Sequence, residues 1–395
     1  MKKAIRENLQ KIIIFSTLLL DIIGIAVFIP AFPELKAYYA INDFQVTLWL
    51  TIYSLFAFLA APLLGQWSDK FGRKKTLVWC IVGTTISYAI LLLTRQYWVF
   101  LLSRVINGIT GGNISILQAI LTDISPNPET KRKNFGLMGA LFGLGFIIGP
   151  VLWSLFLKLW WVEAIFIVGS VFALIELMLL AFGFQNTNEL VPQKHITYNS
   201  FTVMRKYLKH PLTREILISL CFLGIGWFAI NATQWLYMNN TFGTTGQQYG
   251  YYLAIVGVMS AINLGFLVPK FWMKRFSHKW LIIFAHAALI LWYALVWLSH
   301  DLYTFLWLFY LTIVLGNIDT PVYNIEIMST AKPHEIGELS GMLGGAQSLF
   351  MFVGPLVWGI LLQFHYNIFF GAALCCLVSL IVIIPYVQKA KNLPR

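Results

Sequence analysis

Apolar runs of about twenty residues recur from one end of this 395-residue chain to the other, and that recurrence leaves few folds open. A run of that length with little charge crosses a bilayer as a helix, because a helix satisfies its own backbone polar groups in lipid. Charged residues are 11% of the chain and hydrophobic ones 58%, whereas about a quarter of a soluble domain is charged. The sequence therefore predicts an all-α polytopic membrane protein. Twelve transmembrane helices are expected, near 12–31, 45–65, 76–94, 98–121, 135–157, 163–183, 214–238, 249–269, 280–298, 303–328, 339–362 and 367–387. The polar segment 185–213, with Pro192 and His195, divides them six and six, giving halves at 1–184 and 214–395 around a cytoplasmic linker.

The net charge of +12 would suit nucleic acid, but its distribution excludes that partner and points to the lipid bilayer. Lys2, Lys3, Arg6 and Lys11 precede the first run. Lys70–Lys75, Lys131–Lys133, Lys194–Arg214 and Lys270–Lys279 fall in alternate loops, while the intervening loops keep only Lys36, Arg95 and Lys158. This positive-inside pattern places both termini in the cytoplasm of an inner-membrane protein. The first run is long and contains Asp21, so it reads as a retained membrane helix rather than a cleaved signal. Cys80, Cys221, Cys375 and Cys376 lie inside apolar runs and read as small buried hydrophobes. No phosphate loop, metal-ligand cluster or nucleophile motif is present, so no enzyme activity, cofactor or metal is expected.

An internal repeat supports the two halves. Residues 70–74 (Lys-Phe-Gly-Arg-Lys) fall opposite 275–279 (Arg-Phe-Ser-His-Lys), an offset of 205. The same offset aligns 136–139 with 341–344, and Gly149-Pro150 with Gly354-Pro355. Two parallel, pseudo-symmetric six-helix halves follow as the architecture.

Several residues inside or beside the runs carry chemistry. Between the second and third runs lies a charged island, Gly65 to Lys75. There Gly65 suits a close helix approach, Gly72 a tight turn, and Asp69 a helix N-terminus or a basic partner. Asp21 sits about nine residues into its span, roughly 14 Å of rise. A carboxylate at that depth is a coupling or cargo group by default, a fixed interhelical hydrogen-bond partner being the alternative. Arg104 lies near the same level and is the expected counter-charge, unless it only bonds carbonyls of a neighbouring helix. Arg104, Gly108, Gly111, Ser115 and Gln118 form a small and polar stripe on the fourth span. The fifth span is crowded with Gly139, Gly143 and Gly149 before Pro150, a pattern for close packing and a bend, repeated as Gly354 and Pro355 in the eleventh. Asp319, Tyr323 and Glu326 share a face of the tenth span, and Asn231 and Gln234 a face of the seventh. With Asn107, Ser115 and Gln118 these are the candidate cargo-cavity residues. Trp227, Trp235 and Tyr237 read as interface anchors or packing. His286 and Glu176 are further ionisable groups inside spans, each open to a functional or a helix-bridging role.

Taken together, these motifs resemble the drug:proton antiporters of the major facilitator superfamily, especially the tetracycline-exporter branch. Asp21-Ile-Ile-Gly24 with Pro30 and Pro33 is similar to that branch's first helix. Tyr53 to Pro62 leading into 65–75 resembles its second helix and signature loop, and Arg104 to Gly111 its fourth-helix motif. Phe135 through Pro150 resembles the fifth-helix antiporter motif, and Gly337 through Pro355 a late stretch of the same branch. The chain departs from the branch at Ala57, Ser87 and His286, where the exporters carry other polar groups, and at Trp153 and Ser154, where they carry glycines.

The resemblance implies a monomeric secondary transporter working by alternating access, with protons and a small molecule as partners. Proton coupling is expected through Asp21 and Arg104, and a cytoplasmic latch from Gly65, Asp69, Gly72 and Arg73. The first expectation for cargo is export of an amphiphilic organic compound. A specific metabolite or metal-chelating compound is the alternative, with Asp319 and Glu326 suited to a cationic cargo. A membrane sensor that transports nothing is a third reading.

Overall fold

In lipid a chain must close its hydrogen bonds within each segment, and in the computed structural model the described residues are helices joined by short turns, with no strand. The described residues are 2–125, 127–159, 162–185, 205–209, 211–329, 336–363 and 367–389. In chain order the helices are α1 (Lys2–Phe28), α2 (Phe32–Tyr39), α3 (Asp43–Phe71), α4 (Arg73–Ala89), α5 (Tyr97–Thr110), α6 (Asn113–Asp123), α7 (Pro128–Leu159) and α8 (Ala164–Met178). They continue as α9 (Pro211–Phe242), α10 (Gly246–Ile262), α11 (His278–Trp297), α12 (Leu302–Gly316), α13 (Asp319–Ser329), α14 (Ile336–Gln363) and α15 (Ile368–Lys389). Two helices end in wider π turns, α8 over Leu179–Gly183 and α10 over Asn263–Trp272, the latter around Pro269.

Nine helical segments of the described residues are long and apolar enough to cross a membrane, and 143–155 and 346–362 are shorter apolar helices. The count falls short of the expected twelve partly because the fourth expected span is not one helix. It breaks at Gly111 and Gly112 into α5 and α6. The tenth breaks likewise between α12 and α13 at Asn317 and Ile318. The expected stripe from Arg104 to Gln118 is therefore not a continuous helical face. Most of the expected linker, 186–204 and 210, lies outside the described residues.

The chain packs as two compact units: 1–42 with 52–197 and 245–257, and 43–51 with 198–244 and 258–395. Two segments, the start of α3 and the start of α10, thus belong to the unit built mainly from the other expected half.

In the first unit Ile14, Leu18 and Ile22 of α1 meet Leu64 of α3, Leu77 and Ile81 of α4, and Leu117 and Ile120 of α6. In the second, Ile216 and Leu217 of α9 meet Leu281 and Ile282 of α11, Val322 and Ile327 of α13, and Ile383 of α15. Small residues set the closest approaches, as expected of helices that associate by van der Waals packing. A Cβ on Gly149 of α7 would lie 2.5 Å from Ala26 Cβ and 2.8 Å from the Ala26 carbonyl carbon on α1. A Cβ on Gly354 of α14 would lie 2.8 Å from the Ala229 nitrogen on α9. These two glycines, 205 positions apart, do the same task in each unit, and Pro150 and Pro355 follow them inside α7 and α14. Gly143 belongs to the same helix as Gly149; Gly139 has no described side-chain surroundings.

Candidate functional site

The charged island at 65–75 is almost wholly helical. α3 runs through it to Phe71 and α4 begins at Arg73, so Gly72 alone makes the turn. Its φ of +98° is a conformation that side chains disfavour, which is why glycine stands there. The close approach expected at Gly65 is absent: a Cβ there would meet nothing within 4 Å among the described residues. Asp69 has the basic partner expected of it, Arg73 Nη1 at 2.5 Å. Arg73 also donates from Nη1 to Ser68 Oγ at 2.6 Å and from Nε to Asp123 Oδ2 at 3.1 Å. One guanidinium thus ties the end of α3, the start of α4 and the end of α6 together.

Deeper in the first unit, Asp21 is half-buried on α1 and accepts from Asn113 Nδ2, at the first position of α6, at 3.3 Å. It makes no ion pair with Arg104, contrary to the expectation from their shared depth. Arg104 is 3% exposed. Its Nε donates to Ser103 Oγ at 3.1 Å, and its guanidinium lies 5.5 Å and 5.6 Å from the centres of the Phe28 and Tyr88 rings. Arg104 and Asn107 both hydrogen-bond the Tyr88 side chain. Glu176 on α8 is buried with Oε1 unpartnered, and it interacts electrostatically with Asp21 and Tyr88. The polar groups of this unit thus fall into two clusters, Asp21 with Asn113, and Arg104 with Asn107 and Tyr88. Gln118 is exposed, and the surroundings of the Ser115 side chain are outside the described ones.

In the second unit the polar groups converge more tightly. His286 of α11 sits with Nε2 2.8 Å from Ser379 Oγ of α15 and 3.3 Å from the Tyr323 hydroxyl of α13. Ser219 of α9 joins them, its Oγ 2.5 Å from the Tyr323 hydroxyl and 2.7 Å from Ser379 Oγ. Asp319 Oδ1 lies 3.6 Å from His286 Nδ1, and neither carboxyl oxygen of Asp319 has a hydrogen-bond partner. All five side chains are buried. Of Asp319, Tyr323 and Glu326, the first two thus enter this dry network. Glu326 pairs instead with His278 Nδ1 at 2.9 Å and accepts from the Tyr386 hydroxyl. Ser219 and Ser379 escape a reading of sequence because a serine in an apolar run gives no signal of its partners.

Asn231 Nδ2 donates to the Trp227 carbonyl at 2.8 Å, one turn back on α9, and Gln234 is buried on the same helix. Trp235 and Tyr237 are packing residues rather than interface anchors. Trp235 is 1% exposed, and the Tyr237 ring packs on Phe305 and Phe369 at 5.8 Å and 5.1 Å. The four cysteines are free; Cys80 and Cys376 are buried, whereas Cys221 and Cys375 are only half-buried, not the fully buried hydrophobes expected. No group of three or more His, Cys, Asp or Glu able to hold a metal occurs among the described residues.

In the first turn of α2, the Glu34 carboxylate accepts from the backbone N–H of Gly246 at the start of α10, within the same unit. Burial pushes its pKa above the ordinary glutamate range, and the Gly246 hydrogen bond opposes that shift.

A family model described as Major Facilitator Superfamily matches residues 14–355, and a second match covers 216–394. The chain belongs to the Major Facilitator Superfamily. It is a multi-pass membrane transporter of that superfamily. Among its relatives is the class C tetracycline resistance protein of Escherichia coli, 29% identical over 361 residues that cover 89% of each chain. Two solved structures share the fold of this facilitator. The human organic anion transporter MFSD10 (TETRAN) superposes with a TM-score of 0.68 at 20% identity, covering 95% of this chain and 99% of that one. The nucleoside transporter NupG superposes with a TM-score of 0.75 at 14% identity, covering 98% and 100%.

Proposed function

We propose that this facilitator is a proton-coupled exporter of a small amphiphilic organic compound, working by alternating access as a monomer in an inner membrane, with both termini cytoplasmic. Asp21 carries the reading. It is an intramembrane carboxylate that, among the described residues, accepts one hydrogen bond, from an asparagine at the start of a half-helix, and makes no ion pair. A group so lightly held has the means to take up and give back a proton. Arg104, fixed on the Phe28 and Tyr88 rings, is the second residue assigned to coupling in this reading. The similarity to a tetracycline resistance protein over most of the chain supports export. Asn107, Ser115, Gln118, Asn231 and Gln234 remain the candidate cargo contacts. The Arg73 clasp on Asp69 and Asp123, turning at Gly72, is the candidate latch.

For the alternative cargo, a metabolite or metal-chelating compound, Asp319 and Glu326 are the carboxylates suited to a cationic form. Asp319 is sealed from solvent and Glu326 is bonded to His278 and Tyr386, so neither recommends a cationic cargo. The test is gradient-driven uptake into inverted membrane vesicles of a drug and dye panel that includes tetracycline. Asp21→Asn is expected to abolish accumulation driven by a pH gradient. Unchanged uphill transport in that variant would sink the proposal, and no uptake of any compound by the wild type would favour the non-transporting sensor.

A further inference from the structure

We propose that His286 and Asp319 form a second proton-binding site, distinct from Asp21, in which one exchangeable proton is shared across a sealed network joining α9, α11, α13 and α15. The argument starts from Asp319. It is 1% exposed, and both of its carboxyl oxygens lack a hydrogen-bond partner. The titratable groups that act on it are His286 of α11 at 3.6 Å, Tyr293 of α11, Tyr323 of its own helix and Cys376 of α15. From α9 the network receives the hydroxyl and the carbonyl of Ser219, neither of which titrates. His286 is therefore the one base among them. A bare carboxylate beside a neutral imidazole would leave an uncompensated charge inside a membrane bundle, which is strongly disfavoured.

The hydrogen-bond geometry shows where the compensating proton goes. His286 Nδ1 lies 2.8 Å from the Ile282 carbonyl, which only accepts, so Nδ1 carries a hydrogen. Ser379 Oγ donates to the Ser219 carbonyl at 2.8 Å, and Ser219 Oγ to the Ser379 carbonyl at 3.0 Å, a reciprocal bridge between α9 and α15. With its single hydrogen spent on that bridge, Ser379 Oγ can only accept from His286 Nε2 at 2.8 Å. Both ring nitrogens then donate, the imidazole is a cation, and Asp319 is its counter-ion. If Ser379 or Tyr323 turns its hydrogen to Nε2 instead, the ring is neutral and the proton must sit on Asp319. Either way the pair holds one proton more than its fully deprotonated form, and the two arrangements differ by rotation of a hydroxyl together with transfer of one proton between the ring and Asp319.

Loss of that proton leaves a net negative charge that the sealed packing cannot solvate. It must be accompanied by entry of water, or by a shift of α13 against α9 and α15. Asp319 is the first residue of α13, directly after the break at Asn317 and Ile318, where such a shift needs the least rearrangement. Proton occupancy is thus tied to how the second unit packs. This site does not depend on the cargo or on the role assigned to Asp21.

The test uses the full-length protein purified in lipid nanodiscs, without cargo, and pH-difference infrared spectra recorded in water and heavy water. Wild type is expected to show a pH-dependent signal from one buried carboxyl or one imidazolium, assigned by isotope-labelled histidine. Asp319→Asn and His286→Gln are each expected to remove it, because without Asp319 the buried imidazole stays neutral and without His286 the buried carboxyl stays protonated. Asp21→Asn should leave it intact, and Ser379→Ala should move its midpoint while keeping it. The proposal is overturned if the signal survives either single replacement, or if wild type shows none across the pH range in which it stays folded. Should Asp319→Asn fail to give a monodisperse protein, His286→Gln alone decides by the same criterion.

Discussion

Arg73, the first residue of α4, reaches Asp123, the last residue of α6, with Nε 3.1 Å from Oδ2. The arginine side chain is 14% exposed and the aspartate 25%, so this pair is shielded from solvent more than a surface ion pair. The same guanidinium bonds Ser68 and Asp69. Lysine would keep the charge but lose the planar fork that serves three acceptors at once. Arg73→Lys is therefore expected to lower the thermal unfolding temperature by an amount worth about 1 kcal/mol, and to cut transport more deeply than cargo affinity. Thermal unfolding in detergent, beside ligand-binding and vesicle-flux measurements, checks both parts.

Arg95 and Glu163 make the opposite case. Their side chains meet at 2.6 Å, yet Arg95 is 66% exposed. An exposed pair of this kind contributes about 0 to 1 kcal/mol. Glu163→Gln should leave the unfolding temperature and the flux close to wild type. A loss as large as that from Arg73→Lys would show that the pair has a role beyond its own Coulomb energy.

The close approaches at glycine predict a graded series. Gly149→Ala would press a methyl group onto the Ala26 backbone, and Gly354→Ala onto Ala229, at distances where the backbones must part. Each should destabilise the fold by about 1–3 kcal/mol and reduce transport. Gly65→Ala meets nothing within 4 Å and should keep wild-type stability. Unfolding temperatures of the three variants in one detergent give the order directly.

Glu34 predicts a pH effect. Burial raises its pKa, against the pull of the Gly246 N–H. The folded protein then binds that proton more tightly than the unfolded chain does, so acid favours the fold. The advantage is full below the ordinary glutamate range and is lost as pH rises through the higher folded value. Glu34→Gln, which mimics the protonated form, should flatten the fall in unfolding temperature over that window. A wild-type slope retained by the variant would place the titrating group elsewhere.

A sequence orders residues along each helix but does not name their neighbours. Helix rise put Asp21 and Arg104 near one level, but it says nothing about which way each side chain faces. That is how Asp21 came to lie on Asn113 and Arg104 on two aromatic rings. The repeat was legible because Gly149-Pro150 and Gly354-Pro355 meet the same local need in each unit, a need that only small residues fill. The breaks at Gly111 and at Asn317 were hidden inside apolar runs whose hydropathy continues across them. The partners of His286 could not be read, since Ser219 and Ser379 lie 160 positions apart and carry no periodic signature.

The turn at Gly72 has a mechanical consequence. With one residue between α3 and α4, the joint has a single pair of soft torsions. α4 extends 17 residues from it, an arm of about 25 Å. A swing of about 10° at Gly72 would carry its far end about 4 Å. The Arg73 clasp sits at this pivot, so its release, if it is the latch proposed above, would be amplified at the far end of α4. Stiffening the pivot with any side chain would brake the lever without touching either of its ends.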